Sequence, residues 1–361
     1  MLNKPRRGSE PGPAERKAAA VELTLRKEKI LASVIAGYIQ HGEPVGSKAI
    51  AEEIGVSSAT VRNEMASLTE LGLLEQPHTS AGRVPSQKGY REFVDRLMTP
   101  PDLGVQERRW VDSRLAPAMY DSEQLLLCAA QLLAGLSKCT AAVTTPGGPE
   151  AVIKAVQLVQ TSRRTAMLLM ISSAGTMKSR VFRCDYDLTN DILRVFFRVF
   201  NEKVAGKRVK EVTPAFLQNL GAALGPMYAL VGAPLRALLE AAEDTSRTET
   251  LLSGQMNLLL YSELGAGGVR RVLGFLDQGE GMETLLRQKP GRITALIGRE
   301  CGWPELEEAS VLVSRYSVSG QDAGAIAIIG PVRMDYPRLT SVLSYLSEKV
   351  STQLTQLARE D

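Results

Sequence analysis

From Leu25 the chain carries hydrophobic residues at three- and four-residue steps, Leu25, Ile30, Leu31, Val34, Ile35, Tyr38 and Ile39, until "HGEPVGS" interrupts them with Gly42 and Pro44. The pattern predicts one helix and then a short second helix, "KAIAEEI", capped by Ser47, with Ala49, Ile50 and Ile54 turned inward and Gly55 as its breaker. A third helix starts at Ser57 or Ser58, lines Val61, Met65, Leu68 and Leu71 along one side and closes at Gly72. Three helices in this order predict a helix-turn-helix. "LLEQPHTSAGRVPS" then reads as two short extended pieces, around Leu73 and Val84, joined by a Pro, Ser and Gly loop: a hairpin, and so a wing. A fourth helix, "SQKGYREFVDRLM", packs Tyr90, Phe93, Val94 and Leu97 before "TPPD" at 99 to 102 ends a first domain, placed at 23–98.

The remainder changes character. After a helical stretch from Val105 to Ser137, residues 153 to 184 alternate like a three-strand meander, "IKAVQLVQ", "TAMLLMIS" and "MKSRVFRC", with turns "TSRR" and "SAGT". Strand-like patterns return only in "RITALIG" and "SVLVSRYSVSGQDAGAIAIIG", and "GAGG" at 265 to 268 reads as a turn. The economical expectation is one α+β domain, 104–187 and 251–361, in which both blocks build a single antiparallel sheet around a helical insertion at 188–250. "NDILRVFFRVFNEKVAG" has too many apolar positions for one buried stripe, which predicts a second copy of the chain against Ile192, Phe196, Phe197, Val199 and Phe200. Packing of that helix on its own sheet domain is the alternative. From Tyr336 a last helix places Leu339, Leu343, Leu346, Val350, Leu354 and Leu357 in a core or helix-pair seam.

Composition narrows the function classes. A length of 361 residues with 44% hydrophobic and 23% charged residues fits two or three globular domains, and the net charge of +3 argues neither for nor against nucleic acid. Residues 1–22, with Arg6, Arg7, Arg16 and Lys17 among Pro, Gly and Ala, are expected to be a flexible leader, either solvated or brushing DNA phosphates. The start lacks the apolar core of a signal peptide and no apolar run is long enough to span a bilayer, so a cytosolic location and no membrane partner are expected. Cys128, Cys139, Cys184 and Cys301 form no Cys-x-x-Cys pair, so free, mostly buried thiols and no metal are expected. With only His41 and His78, a Ser-His-Asp or Cys-His apparatus cannot be built in the later domains, and no P-loop or paired-carboxylate motif appears. No catalytic residue, no enzyme activity and no cofactor are expected.

The third helix holds the remaining chemistry. Its apolar side leaves Ser58, Thr60, Arg62, Asn63 and Ser67 facing away from the core. Arg can bond bidentately to guanine and Asn to adenine, while Ser and Thr reach phosphates or base edges. Asn63 lies near enough to the edge of the stripe to bond within the domain instead. Ser47 and Lys48 would hold the DNA backbone, Ser57 and the helix amino end favour phosphate, and His78, Thr79, Ser80 and Arg83 give the wing short donors and one long cation. Capping alone would also account for Ser57 and Ser58, and some winged helices bind proteins.

The segments "GEPVGSKAIAE", "SSATVRNEM", "LGLLEQPHTSAGRVPSQKGYREFVDRLM" and, near the other end, "IGPVRMDYPRL" resemble the bacterial heat-inducible transcription repressor HrcA family over nearly the whole chain. The resemblance implies a winged helix, a GAF-like domain and an inserted dimerising domain, in a homodimeric, nucleoid-associated repressor that binds an inverted-repeat operator upstream of chaperone operons. It also implies assistance by the GroEL chaperonin. Ser262, in "MNLLLYSEL", stands where the family tends to have proline. The rival expectation is a ligand-gated regulator of another operon, with the GAF-like domain as sensor.

Overall fold

A computed structural model describes residues 23–78, 81–173, 175–223, 228–287 and 293–360, and the chain divides at Met98 into two compact units. The leader 1–22 and the wing residues Thr79 and Ser80 lie outside the described residues. In the first unit α1 (Leu25–His41) starts at Thr24, whose hydroxyl accepts from the Lys27 amide, and buries Ile30, Leu31, Val34 and Ile35. Leu25 was expected inward but is exposed, because it sits in the first turn, ahead of the packed stripe. The cap of α2 (Ser47–Ile54) is Gly46 rather than Ser47, and Ile50 alone is fully buried there while Ala49 is exposed. Gly55, at φ of 77°, takes the left-handed conformation that turns the chain into α3 (Ser58–Glu70). Strands β1 (Leu74–Glu75) and β2 (Val84–Pro85) pair antiparallel as the wing. Ser86 then caps α4 (Gln87–Glu92), which runs on into a wider π turn at Phe93–Leu97.

The second unit is built on a five-stranded antiparallel sheet of order β7-β3-β10-β9-β8, formed by β3 (Thr140–Thr144), β7 (Thr250–Ser253), β8 (Ile293–Ile297), β9 (Ala309–Val318) and β10 (Gln321–Pro331). Helix α6 (Ser122–Ser137), preceded by α5 (Val105–Leu115), packs on this sheet together with the long C-terminal helix α12 (Tyr336–Glu360). A hydrophobic core joins the sheet to α10 (Gly265–Leu276) and α11 (Gly279–Arg287) through Val272, Phe275, Leu285, Val311, Val313, Ala327 and Ile329. The central strands are therefore buried on both sides, which explains their continuous apolar runs. "GAGG", expected as a turn, is the first turn of α10.

The single sheet expected from the two strand blocks does not form. Strands β4 (Ile153–Ser162), β5 (Thr165–Ser172) and β6 (Met177–Arg183) make a separate three-stranded sheet. One face of that sheet shares a core with α7 (Asn190–Lys203), α8 (Pro214–Ala223) and α9 (Tyr228–Ser246), through Val156, Leu168, Met170, Phe196, Phe200, Leu217 and Leu238 among others. The boundary expected between residues 187 and 188 therefore falls inside one core. The excursion from the five-stranded sheet instead runs from Thr144 to Thr250, which are register partners on adjacent strands.

This packing also corrects the expected dimerisation face. Phe196 and Phe200 are buried in the chain's own core with ring centroids 6.4 Å apart, and Ile192 and Val199 pack half-buried against it. The apolar excess of α7 is absorbed by the meander, so of the five named residues only Phe197 is exposed. Among the described residues, an exposed apolar surface lies on the other face of the meander. There Val159, Met167 and Val181 stand in register across the three strands, and Ile171 faces Met177. Val159, Met177 and Val181 are 46%, 65% and 67% exposed.

Candidate nucleic-acid interface

The geometry of α3 follows from its core stripe. Val61, Met65 and Leu68 are buried, and at about 100° per residue the opposite face falls to Ala59, Asn63, Ala66 and Glu70. Asn63 is therefore not at the edge of the stripe. It is exposed at the middle of the outward face, with Arg62 exposed on one flank, and neither side chain makes a hydrogen bond or ion pair among the described residues. Ala59 and Ala66 were not anticipated as part of this face. Their small side chains leave the helix backbone open on this face, and the signal that finds them is the angular arithmetic.

The hydroxyl-bearing residues are organised in pairs. Ser57 caps α3 by accepting from the Thr60 amide at 3.1 Å, and the Ser57 and Thr60 hydroxyls lie 2.8 Å apart. Because Ser47 is the first residue of α2 and not its cap, its hydroxyl is available to meet that of Ser58 at 3.0 Å, joining the starts of the two helices of the motif. Each of these oxygens keeps capacity for a further bond. Lys48 is exposed beside them, and Ser67 is half-buried on the far flank of α3.

The wing is tied to this helix more closely than a hairpin signal conveys. An isolated antiparallel bridge joins Val45, in the α1–α2 connection, to Arg83, so a third extended segment runs beside β2. His78 is exposed, and its carbonyl accepts from the Ala81 amide at 2.9 Å across the turn. Arg83, expected as the wing's long cation, is half-buried and folded back on the domain, with its Nε donating to Thr69 Oγ1 at 3.0 Å. Lys88 Nζ donates to the Leu71 carbonyl at 3.0 Å, placing a cation at the carboxyl end of α3. The surface thus presents an exposed Arg and Asn between small residues on one helix, hydroxyls at the adjoining helix starts and a hairpin alongside.

Residues 22–97 match the family described as winged helix-turn-helix transcription repressor, HrcA DNA-binding, and residues 123–340 match the HrcA protein C terminal domain. The chain is similar to the heat-inducible transcription repressor HrcA of Moorella thermoacetica, with 36% identity over 340 residues that cover 92% of this chain and 98% of the relative. The same-named protein of Desulforudis audaxviator is 34% identical with the same coverage of each chain, and that of Acetivibrio thermocellus is 31% identical over 94% of this chain and 98% of its own. Among solved structures the chain resembles a hypothetical protein determined at 2.2 Å, with a TM-score of 0.67 and 26% identity over 93% of this chain and 100% of that one.

Proposed function

The chain belongs to the HrcA family of heat-inducible transcription repressors, and from that premise we propose that it binds an inverted-repeat operator of chaperone operons as a homodimer and represses them. Ser47, Lys48, Ser57, Ser58, Thr60, Arg62, Asn63, Ser67 and His78, with Thr79 and Ser80 of the wing, form the DNA-binding surface, and α3 enters the major groove. The observation that carries this reading is the outward face of α3, where exposed Arg62 and Asn63 stand among small residues. An inverted repeat is two-fold symmetric, so its reader needs a self-complementary contact. The uncovered sheet face around Val159, Met167, Met177 and Val181 is the surface we assign to that contact. The protein acts in the cytoplasm at the nucleoid, where the GroEL chaperonin maintains its active fraction. A folding equilibrium of only a few kcal/mol is enough to make that fraction respond to heat.

The test is a salt titration of binding to an inverted-repeat chaperone operator and to scrambled DNA, with and without GroEL. Operator-selective binding that GroEL enhances is the expected result. Selective binding indifferent to GroEL removes the chaperonin from the proposal, and equal binding to both DNAs overturns the repressor reading.

A further inference from the structure

Arg83 is the one Lys or Arg of the wing segment Leu74–Pro85, yet its side chain is half-buried and bonded within the domain. Its backbone exchanges two hydrogen bonds with Val45, N to O at 2.9 Å in each direction, which ties the base of the wing to the α1–α2 connection. Its side chain ties the same point to α3. Nε donates to Thr69 Oγ1 at 3.0 Å, and the Thr69 hydroxyl spends its own proton on the Met65 carbonyl at 2.9 Å, so its lone pair is aimed at the guanidinium. The neighbouring residue leaves no slack. A Cβ at Gly82 would lie 2.3 Å from the Val45 carbonyl oxygen, so only glycine lets β2 run this close to the connection.

We propose that Arg83 is a positioning residue of the DNA-binding surface, fixing the wing against the recognition helix through Thr69, and not a phosphate contact. The inference rests on the repressor reading and deepens it. A wing reads DNA only if its tip and the helix face reach the duplex together, so their separation has to be set before binding. The planar guanidinium, bonded to a hydroxyl whose direction is already fixed, sets it.

The two roles differ in salt dependence. A lost phosphate contact lowers the slope of log affinity against log salt by about 0.9, whereas a lost internal clamp lowers affinity at unchanged slope. On the full chain we expect Arg83→Ala and Thr69→Val each to weaken operator binding about tenfold, the worth of one charge-assisted hydrogen bond, with the wild-type slope retained. The double variant should bind no more weakly than either single one, and Thr69→Ser, which keeps the hydroxyl, should bind like wild type. A reduced slope for Arg83→Ala, with Thr69→Val binding normally, overturns the proposal, as do additive losses. If a variant fails to fold, the exchange rate of the Arg83 Nε proton in the free wild-type protein decides: slow exchange is expected, and exchange as fast as that of Arg62 overturns the clamp. A wild type that binds operator and scrambled DNA alike defeats the repressor reading instead, while the Nε measurement still judges the clamp.

Discussion

Arg62 and Asn63, one flanking and one centring the exposed side of α3, are the side chains proposed to read bases. Arg62→Ala is expected to cost about 1–3 kcal/mol on the operator and little on scrambled DNA, read as a collapse of the affinity ratio between the two. Lys48→Ala should weaken both DNAs alike and flatten the salt slope by about 0.9. A different outcome is expected at Phe200, fully buried beside Phe196: Phe200→Ala should cost about 3–5 kcal/mol in a denaturant titration, through the cavity it leaves. Thiol chemistry follows burial in the same way. Burial pushes the Cys139 thiol up to about 11, and Cys184 and Cys301 are also buried, so a thiol reagent at pH 8 should modify half-exposed Cys128 first and the others only after unfolding.

Helix α12 supplies more than apolar cover. Among the described residues β8 pairs with β9 as far as Ser314, and further along the amides of Ser317 and Ser319 are met by the Ser351 and Thr355 hydroxyls of α12 at 3.0 and 2.9 Å. The helix thus supplies acceptors to amides at the end of β9 and in the turn that follows it. Ser351→Ala, which leaves a half-buried amide without its partner, should lower stability by about 1–3 kcal/mol in the same titration. The periodicity of α12, α1 and α3 was legible because a stripe of large side chains repeats locally. The meander was legible too, from the alternation in "TAMLLMIS", but which sheet it joins is a non-local matter that no window of sequence carries. Strand β3 was missed because "TAAVT" is short, small and buried throughout, so it offers no alternation. The inward turn of Arg83 was equally hidden, since its partner Thr69 reads as one more polar helix position.

With the meander's outer face as the contact between copies, Val181→Asp should convert dimer to monomer in sedimentation while the circular dichroism spectrum of the folded chain is retained, because this side chain is already exposed in the single chain. A dimer that survives the change would exclude this face. The first unit has its own core, so a fragment of residues 23–98 should fold and retain base preference while losing the gain in affinity that comes from linking two readers. One more consequence follows from the adjacency of β3 and β7, which are neighbours in the sheet with about a hundred residues of chain between them. During synthesis the winged unit is complete as soon as it leaves the ribosome, whereas β3 has to wait, unpaired, until β7 and then β10 emerge. Closing such a long loop is slow, and every residue of the waiting strand is buried in the finished fold. Newly made chains therefore pass through a stage at which the winged unit is finished and the sheet of the second unit is not. Anything that captures the waiting strand in that interval lowers the yield of complete protein.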